Sequence, residues 1–292
     1  MKGVILVENS FVHPYMPNSV PENKKAMLDE LGINSVEDIY KSIIPDELLY
    51  KERLDIPEPI RSEYELKRHV MGILNRDITT EEYTSFLGAG CYKHQVPAIC
   101  DEINSRGEFL TAYCGDTYSD HGKMQAIFEY TSMMGELLDT DVVSYTTYDG
   151  GQAVASSLRM AVRAVREKGM AGKVILVPKT MNPEIYSQVV QYCRNVAEVR
   201  KIAYEPETGL MDLEELKEQL AKKNVAAVFF ENPTYLGNFE TRGEEIAKLA
   251  HDAGAYCVVQ TEVAALGIME SPVNQGADIV CGDIQPLGMH IQ

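Results

Sequence analysis

The run Val225-Ala226-Ala227-Val228-Phe229-Phe230, followed by the turn Asn232-Pro233-Thr234-Tyr235-Leu236-Gly237, decides how the chain is read. A short unbroken apolar run, rich in valine and phenylalanine, fits a strand buried on both faces. Asn-Pro at its end is a turn signal. Strands buried on both faces belong to parallel sheets, whose neighbours are joined by crossover helices. The flanks supply those helices. Upstream, Lys173 to Val177 reads as a strand, and Asn182-Pro183-Glu184 opens a helix with an N-cap, a proline at the first position and an early acid. Val196 to Ala203 then reads as a strand, and Asp212 caps a helix running to Lys223. Downstream, Glu244 to His251 is helical, and Tyr256 to Gln260 and Asp278 to Cys281 are strands. Alternating units of this kind give a mostly parallel sheet between helices, an α/β fold.

Further toward the N-terminus, Met124, Ile127, Phe128, Thr131, Met134, Leu137 and Leu138 fall on one face of a helix. Val142 and Val143 are expected to begin a short strand. The turn Tyr148-Asp149-Gly150-Gly151 leads into a helix from Gln152 to about Lys168, closed by Gly169. Residues 1–75 are charged and read as a helical arm that packs on something larger. Pro14, Pro17 and Pro21 are expected to keep its first part extended, ahead of helices at Lys24 to Leu31, Ser35 to Ile44 and Glu63 to Leu74. The expected organisation is this arm over 1–75 and a large α/β domain over 76–292.

Composition narrows the function. The 292 residues are 45% hydrophobic and 24% charged, the balance of an ordinary globular protein. A net charge of −17 without a basic cluster repels phosphate backbones, which argues against nucleic acid as a partner. No apolar run approaches the ~18 residues of a membrane span. Val4-Ile5-Leu6-Val7 is too short for a signal-peptide core and runs into Glu8. The six cysteines, at 91, 100, 114, 193, 257 and 281, form no CxxC pair and no zinc spacing. They read as reduced thiols of a cytoplasmic protein. His94 and His121 sit in no His/Asp/Glu cluster of ligand spacing, so they read as structural or exposed and no metal site is expected.

Ligands of open α/β sheets lie at the carboxyl ends of the strands, and three turns fall there. Tyr148-Asp149-Gly150-Gly151-Gln152 combines glycines, which let backbone approach a ligand, with a helix N-terminus, which favours an anion. It also reads as a plain tight turn. The Asn232-Pro233 turn reads on local evidence as a loop. Thr261-Glu262 places an acid at a strand end, where a helix cap is the common use. Enzymes of pyridoxal phosphate set such an acid against the ring nitrogen. A phosphate-type turn, two further strand ends and then an acid is the order of the aspartate aminotransferase-like fold, the type I fold of pyridoxal-phosphate-dependent transferases. That order next needs a Schiff-base lysine roughly 25–30 residues after the acid. Ala277 to Gln292 contains none, and the last lysine is Lys248.

Here the sequence resembles a specific family, subunit 1 of the two-subunit glycine dehydrogenase (decarboxylating), the P-protein of the glycine cleavage system. The resemblance rests on Ser85-Phe86-Leu87-Gly88-Ala89-Gly90, Glu108-Phe109-Leu110-Thr111-Ala112-Tyr113, Gln125-Ala126-Ile127-Phe128-Glu129-Tyr130, Tyr148-Asp149-Gly150, Asn232-Pro233 with Leu236-Gly237, and Gly276-Ala277-Asp278-Ile279 with Gly282 and Gln285 through Gly288. It implies a subunit with no catalytic lysine of its own, in a complex that decarboxylates glycine and passes the aminomethyl group to a lipoyl protein. Pyridoxal phosphate would be held through a lysine of the partner, the lysine-bearing P-protein subunit 2, and the lipoyl carrier (H-protein) would bind transiently. By resemblance the cofactor side comprises Tyr148, Asp149, Gly150, Gly151, Asn182 and Glu262, and the substrate loop comprises Tyr113, Cys114, Asp116 and His121. Three departures stand out. Cys114 to Gly122 replaces the family's Thr-Pro-Tyr-Gln-Pro-Glu loop, Asn182 stands for a histidine, and Glu262 stands for an aspartate. A C-terminal small domain of the family is expected to be missing. The alternatives are a non-catalytic scaffold or regulatory paralogue, or a paralogue complex acting on another amino acid.

Overall fold

A computed structural model describes residues 12–290, apart from 51, 53, 87–93, 110–120, 146 and 171. The chain divides into two compact units, residues 1–77 and 78–292.

The first unit holds α1 (Pro21–Leu31), α2 (Val36–Ile43) and α3 (Glu63–Leu74). Their ends follow local rules. Pro21 takes the first position of α1, and Gly32 ends it in the left-handed region at φ 66°. Ser35 and Asp38 form a capping box on α2, and the Ser62 side chain accepts from the Glu65 N–H to cap α3. The expected extended start is corrected here. Pro17 opens a 3₁₀ turn (Pro17–Ser19) and Pro21 a helix, because proline fixes φ at a helical value and the first turn needs no N–H from it. No described residue of this unit is buried.

The second unit begins with α4 (Ala98–Asn104) and α5 (His121–Leu138). Of the apolar face expected on α5, Met134 and Leu138 are buried, whereas Met124, Phe128 and Leu137 stay exposed. Val142 and Val143 form no strand, and Val142 is exposed. Next come α6 (Gly150–Glu167), β1 (Val174–Pro178), α7 (Pro183–Cys193), β2 (Glu198–Ile202), α8 (Leu213–Leu220), β3 (Val225–Asn232), α9 (Gly243–Asp252), β4 (Tyr256–Thr261) and β5 (Ile279–Cys281). The five strands form one sheet in the order β2-β1-β3-β4-β5, with every neighbouring pair parallel. β1 and β3 are buried at every position, as continuous apolar runs require.

Alternation along the strands divides the core. Ile175, Val177, Ala227, Phe229 and Val258 face α6 and α7, against Val154, Leu158, Val162 and Val189. Leu176, Val228, Phe230, Cys257 and Val259 face α8 and α9, against Leu216, Leu220, Ile246 and Ala250. Gly172 is required just before β1, since a Cβ there would lie 2.6 Å from Val165 Cγ1 and 2.9 Å from Ala226 Cβ.

Candidate functional site

The chain runs from β1 out to β2 and then returns to β3 on the other side of β1. Strand order therefore reverses between β1 and β3. In open parallel sheets this reversal, beyond the carboxyl ends, forms the ligand crevice.

Two helices and a 3₁₀ turn start at this rim. Asp149 caps α6, its side chain accepting from the Gln152 N–H at 2.6 Å, while Gln152 Oε1 accepts from the Tyr148 N–H at 2.9 Å. The Tyr148 side chain is exposed. A Cβ on Gly151 would lie 2.5 Å from Gln188 Oε1, so this glycine lets an amide of α7 lie across the first turn of α6. A Cβ on Gly150 would meet Asp283 Cβ at 3.4 Å, which sets the acid after β5 against the same helix start. Asn182 caps α7 by accepting from the Glu184 N–H at 2.9 Å. Glu262 caps a 3₁₀ turn (Val263–Gly267), accepting from the Ala264 and Ala265 N–H groups at 3.1 Å each.

The centre of the rim is a residue the sequence reading did not single out. Glu231, only 5% exposed near the end of β3, accepts from the Asn182 N–H at 3.1 and 3.3 Å and from the Tyr235 N–H at 3.3 Å. One carboxyl group thus joins the β1–α7 turn to the turn after β3. Burial pushes it up to about 7, opposed by the two backbone N–H groups. The available signal was an acid closing an otherwise apolar strand. Asn232, beside it, is occupied with main chain: its amide donates to the Glu240 carbonyl and accepts from the Glu240 N–H, both at 3.2 Å. The peptide bond Asn232-Pro233 is cis.

The predicted residues are thus only partly assembled. Gly150 and Gly151 meet Asp283 and Gln188, and Asn182 meets the turn after β3 through Glu231. Glu262 is tied to its own turn. Tyr113, Cys114 and Asp116 lie outside the described residues, and His121 is described only as the backbone start of α5. His94 Nε2 lies 2.6 Å from the Met289 carbonyl oxygen. No cluster of three metal-ligating side chains exists among the described residues. The four described cysteines are free, and burial pushes the Cys257 and Cys281 thiols up to about 12. No described helix is long and apolar enough to cross a membrane.

A five-stranded parallel sheet between helices, with its turns gathered at the carboxyl rim, is the large domain of the aspartate aminotransferase-like fold used by pyridoxal-phosphate-dependent enzymes. The family follows from a closer match: the model of the glycine cleavage system P-protein covers residues 13–292, and the chain belongs to that family. It is 35% identical over 288 residues to the probable glycine dehydrogenase (decarboxylating) subunit 1 of Staphylothermus marinus, covering 95% of this chain and 59% of that protein. It is 38% identical over 276 residues to the protein of the same description from Pyrococcus horikoshii, covering 94% and 59%. A crystal structure of glycine decarboxylase (P-protein) of the glycine cleavage system, in inhibitor-bound form, superposes with a TM-score of 0.75 at 31% identity, over 96% of this chain and 60% of that one. Mouse CSAD, at TM-score 0.61 and 14% identity over 89% of this chain and 56% of that one, shares the fold alone. The chain thus spans about three fifths of the length of the relatives it matches.

Proposed function

We propose that this chain is the subunit without a Schiff-base lysine in a glycine decarboxylase complex, in which a second subunit bears that lysine and holds pyridoxal phosphate. The observation that carries the reading is a rim with the family's layout whose own residues do not fit the cofactor. Both Glu262 oxygens accept main-chain N–H bonds, the space above Gly151 is filled by Gln188, and Asp283 stands beside Gly150 where an anion would approach. No chemical step is therefore assigned to these residues. Their role is to shape and close a site whose reacting groups come from the partner. Tyr148, Asp149, Gly150, Gly151, Asn182 and Glu262 form the frame, and Tyr113, Cys114, Asp116 and His121 form the flanking loop. The lipoyl carrier protein would meet the assembled pair, and the cytoplasm is the compartment this assigns.

A second reading, a paralogue complex acting on another amino acid, is favoured by the Cys114 to Gly122 loop, which has no proline and adds Asp116, Asp120 and His121. The test is reduction with borohydride in the presence of pyridoxal phosphate, on this chain alone and co-purified with a lysine-bearing partner, followed by peptide mapping. The label is expected on one lysine of the partner and on none of this chain. Specific labelling of a lysine here, with activity, would overturn the reading.

A further inference from the structure

Glu231 has a neighbour whose hydrogen bonding is incomplete. In the parallel register of β3 and β4, Glu231 lies opposite Gln260, and Gln260 lies opposite Cys281 of β5. Two residues earlier in their strands, Phe229 and Val258 both face α6 and α7, so strand alternation puts Glu231 and Gln260 on that same face. Neighbouring strands run about 4.8 Å apart, which brings such register partners within side-chain reach. Gln260 Oε1 is buried and has no hydrogen-bond partner. A buried amide oxygen without a donor is costly, and a carboxylate opposite it would face acceptor with acceptor.

We propose that Glu231 is protonated at neutral pH, that its O–H donates to Gln260 Oε1 while its other oxygen accepts from the Asn182 and Tyr235 N–H groups, and that it is thereby the positioning residue that sets the two strand-end turns of the candidate site. The proton comes from solvent, and no covalent bond is made or broken. The surroundings suit a neutral acid. Across the strand ends, Cys281 carries a thiol that burial keeps protonated, and Ser157 of α6 is neutral. The turn after β1 contributes backbone N–H and Asn182, and the turn after β3 contributes Tyr235. The one charged neighbour lining the same small pocket is Glu240, whose carboxylate is taken up by Arg242 and by the Met211 N–H.

The consequence for the candidate site rests on the reading of the strand ends given above, but the proton itself does not, so the two can fail separately. The experiment is carbon-13 titration of the glutamate carboxyl groups in the full chain, with Glu231→Gln identifying the Glu231 signal. The expected result is one glutamate with a midpoint near 7, moved lower in Gln260→Met, which removes the acceptor. Hydrogen exchange at the Asn182 and Tyr235 amides gives a second reading that a merely structural role would not produce. Corrected for intrinsic rates, protection should fall by about tenfold per pH unit between pH ~4.5 and ~7 and then level off, because the proton is bound more tightly in the closed rim than in the open one. Glu231→Gln, whose NH₂ group replaces the O–H as donor to Gln260, should remain protected and lose this slope. A Glu231 midpoint in the ordinary carboxyl range, an unchanged midpoint in Gln260→Met, or the same slope in Glu231→Gln would each overturn the proposal.

Discussion

Gly282, immediately after β5, offers a sharp test of how the rim is held. A Cβ added there would lie 2.2 Å from the Thr261 carbonyl oxygen at the end of β4, while contacts under 3.0 Å are essentially never tolerated. Alanine at 282 therefore has to drive the end of β5 away from β4 by about 0.8 Å, against a backbone atom that no rotamer change can remove. Overpacking costs about 1–3 kcal/mol, and a backbone obstacle puts this case at the upper end. For a unit of this size each kcal/mol lowers the melting temperature by roughly 2–4 °C, so Gly282→Ala should melt about 6–12 °C below the wild type. Gly267 is the control, since its Cβ would meet nothing within 4 Å. Thermal unfolding followed by circular dichroism compares the three proteins. If Gly282→Ala and Gly267→Ala melt within about 1 °C of each other, the steric argument fails, and with it the claim that β4 and β5 meet this tightly at the rim.

Other outcomes follow from the same description. Phe229→Ala, which empties a fully buried position between β3 and the α6–α7 layer, should destabilise by about 3–5 kcal/mol in urea unfolding. A loss under about 1 kcal/mol would mean that the layer collapses onto the gap. Glu231 is raised from 4.5 to about 7, so it binds its proton more tightly folded than unfolded, and its contribution is complete below about pH 4.5 and lost as pH rises through about 7. That contribution is about 3 kcal/mol at most, so between about pH 5 and 8 the wild type should lose more stability than Glu231→Gln; equal losses would refute it. If Cys114 to Gly122 is the substrate loop proposed above, a complex built on this chain should exchange the glycine carboxyl with labelled bicarbonate poorly, because its sequence departs from the family loop and a misplacement of about 1 Å can cost roughly 100-fold in rate. Brisk exchange would make the Cys114 to Gly122 replacement neutral.

Much of the second unit was legible because its signals are local. The apolar run at Val225, the cap-and-proline start at Asn182 and the cap at Asp212 each name one element, and their alternation leaves a parallel sheet as the way to bury them all. Val142 and Val143 misled because a β-branched pair makes a strand only beside an edge with which it can pair, and no ladder forms there. The apolar face read on α5 is only partly covered, with Met134 and Leu138 buried and Met124, Phe128 and Leu137 exposed, since periodicity tells which side is apolar and not what covers it. The site was harder to read. Asp149, Asn182 and Glu262 were found through their positions at strand and helix ends, yet the structure uses each as a cap. Glu231 passed as the end of a hydrophobic strand because its importance comes from Asn182, 49 positions away in the chain, and from Gln260 on the neighbouring strand.

The caps have a consequence for charge. Asp149, Glu262 and Asp283 all stand at the carboxyl rim, and the side chains of Asp149 and Glu262 already take N–H groups that a helix start or turn would otherwise offer to an incoming anion. Acids placed at the rim in this way present a field that pushes a phosphate away. A phosphorylated ligand could settle there only after another surface had supplied the positive charge. On the proposed function, order of assembly would then be a property of the rim: protein partner first, anionic ligand second.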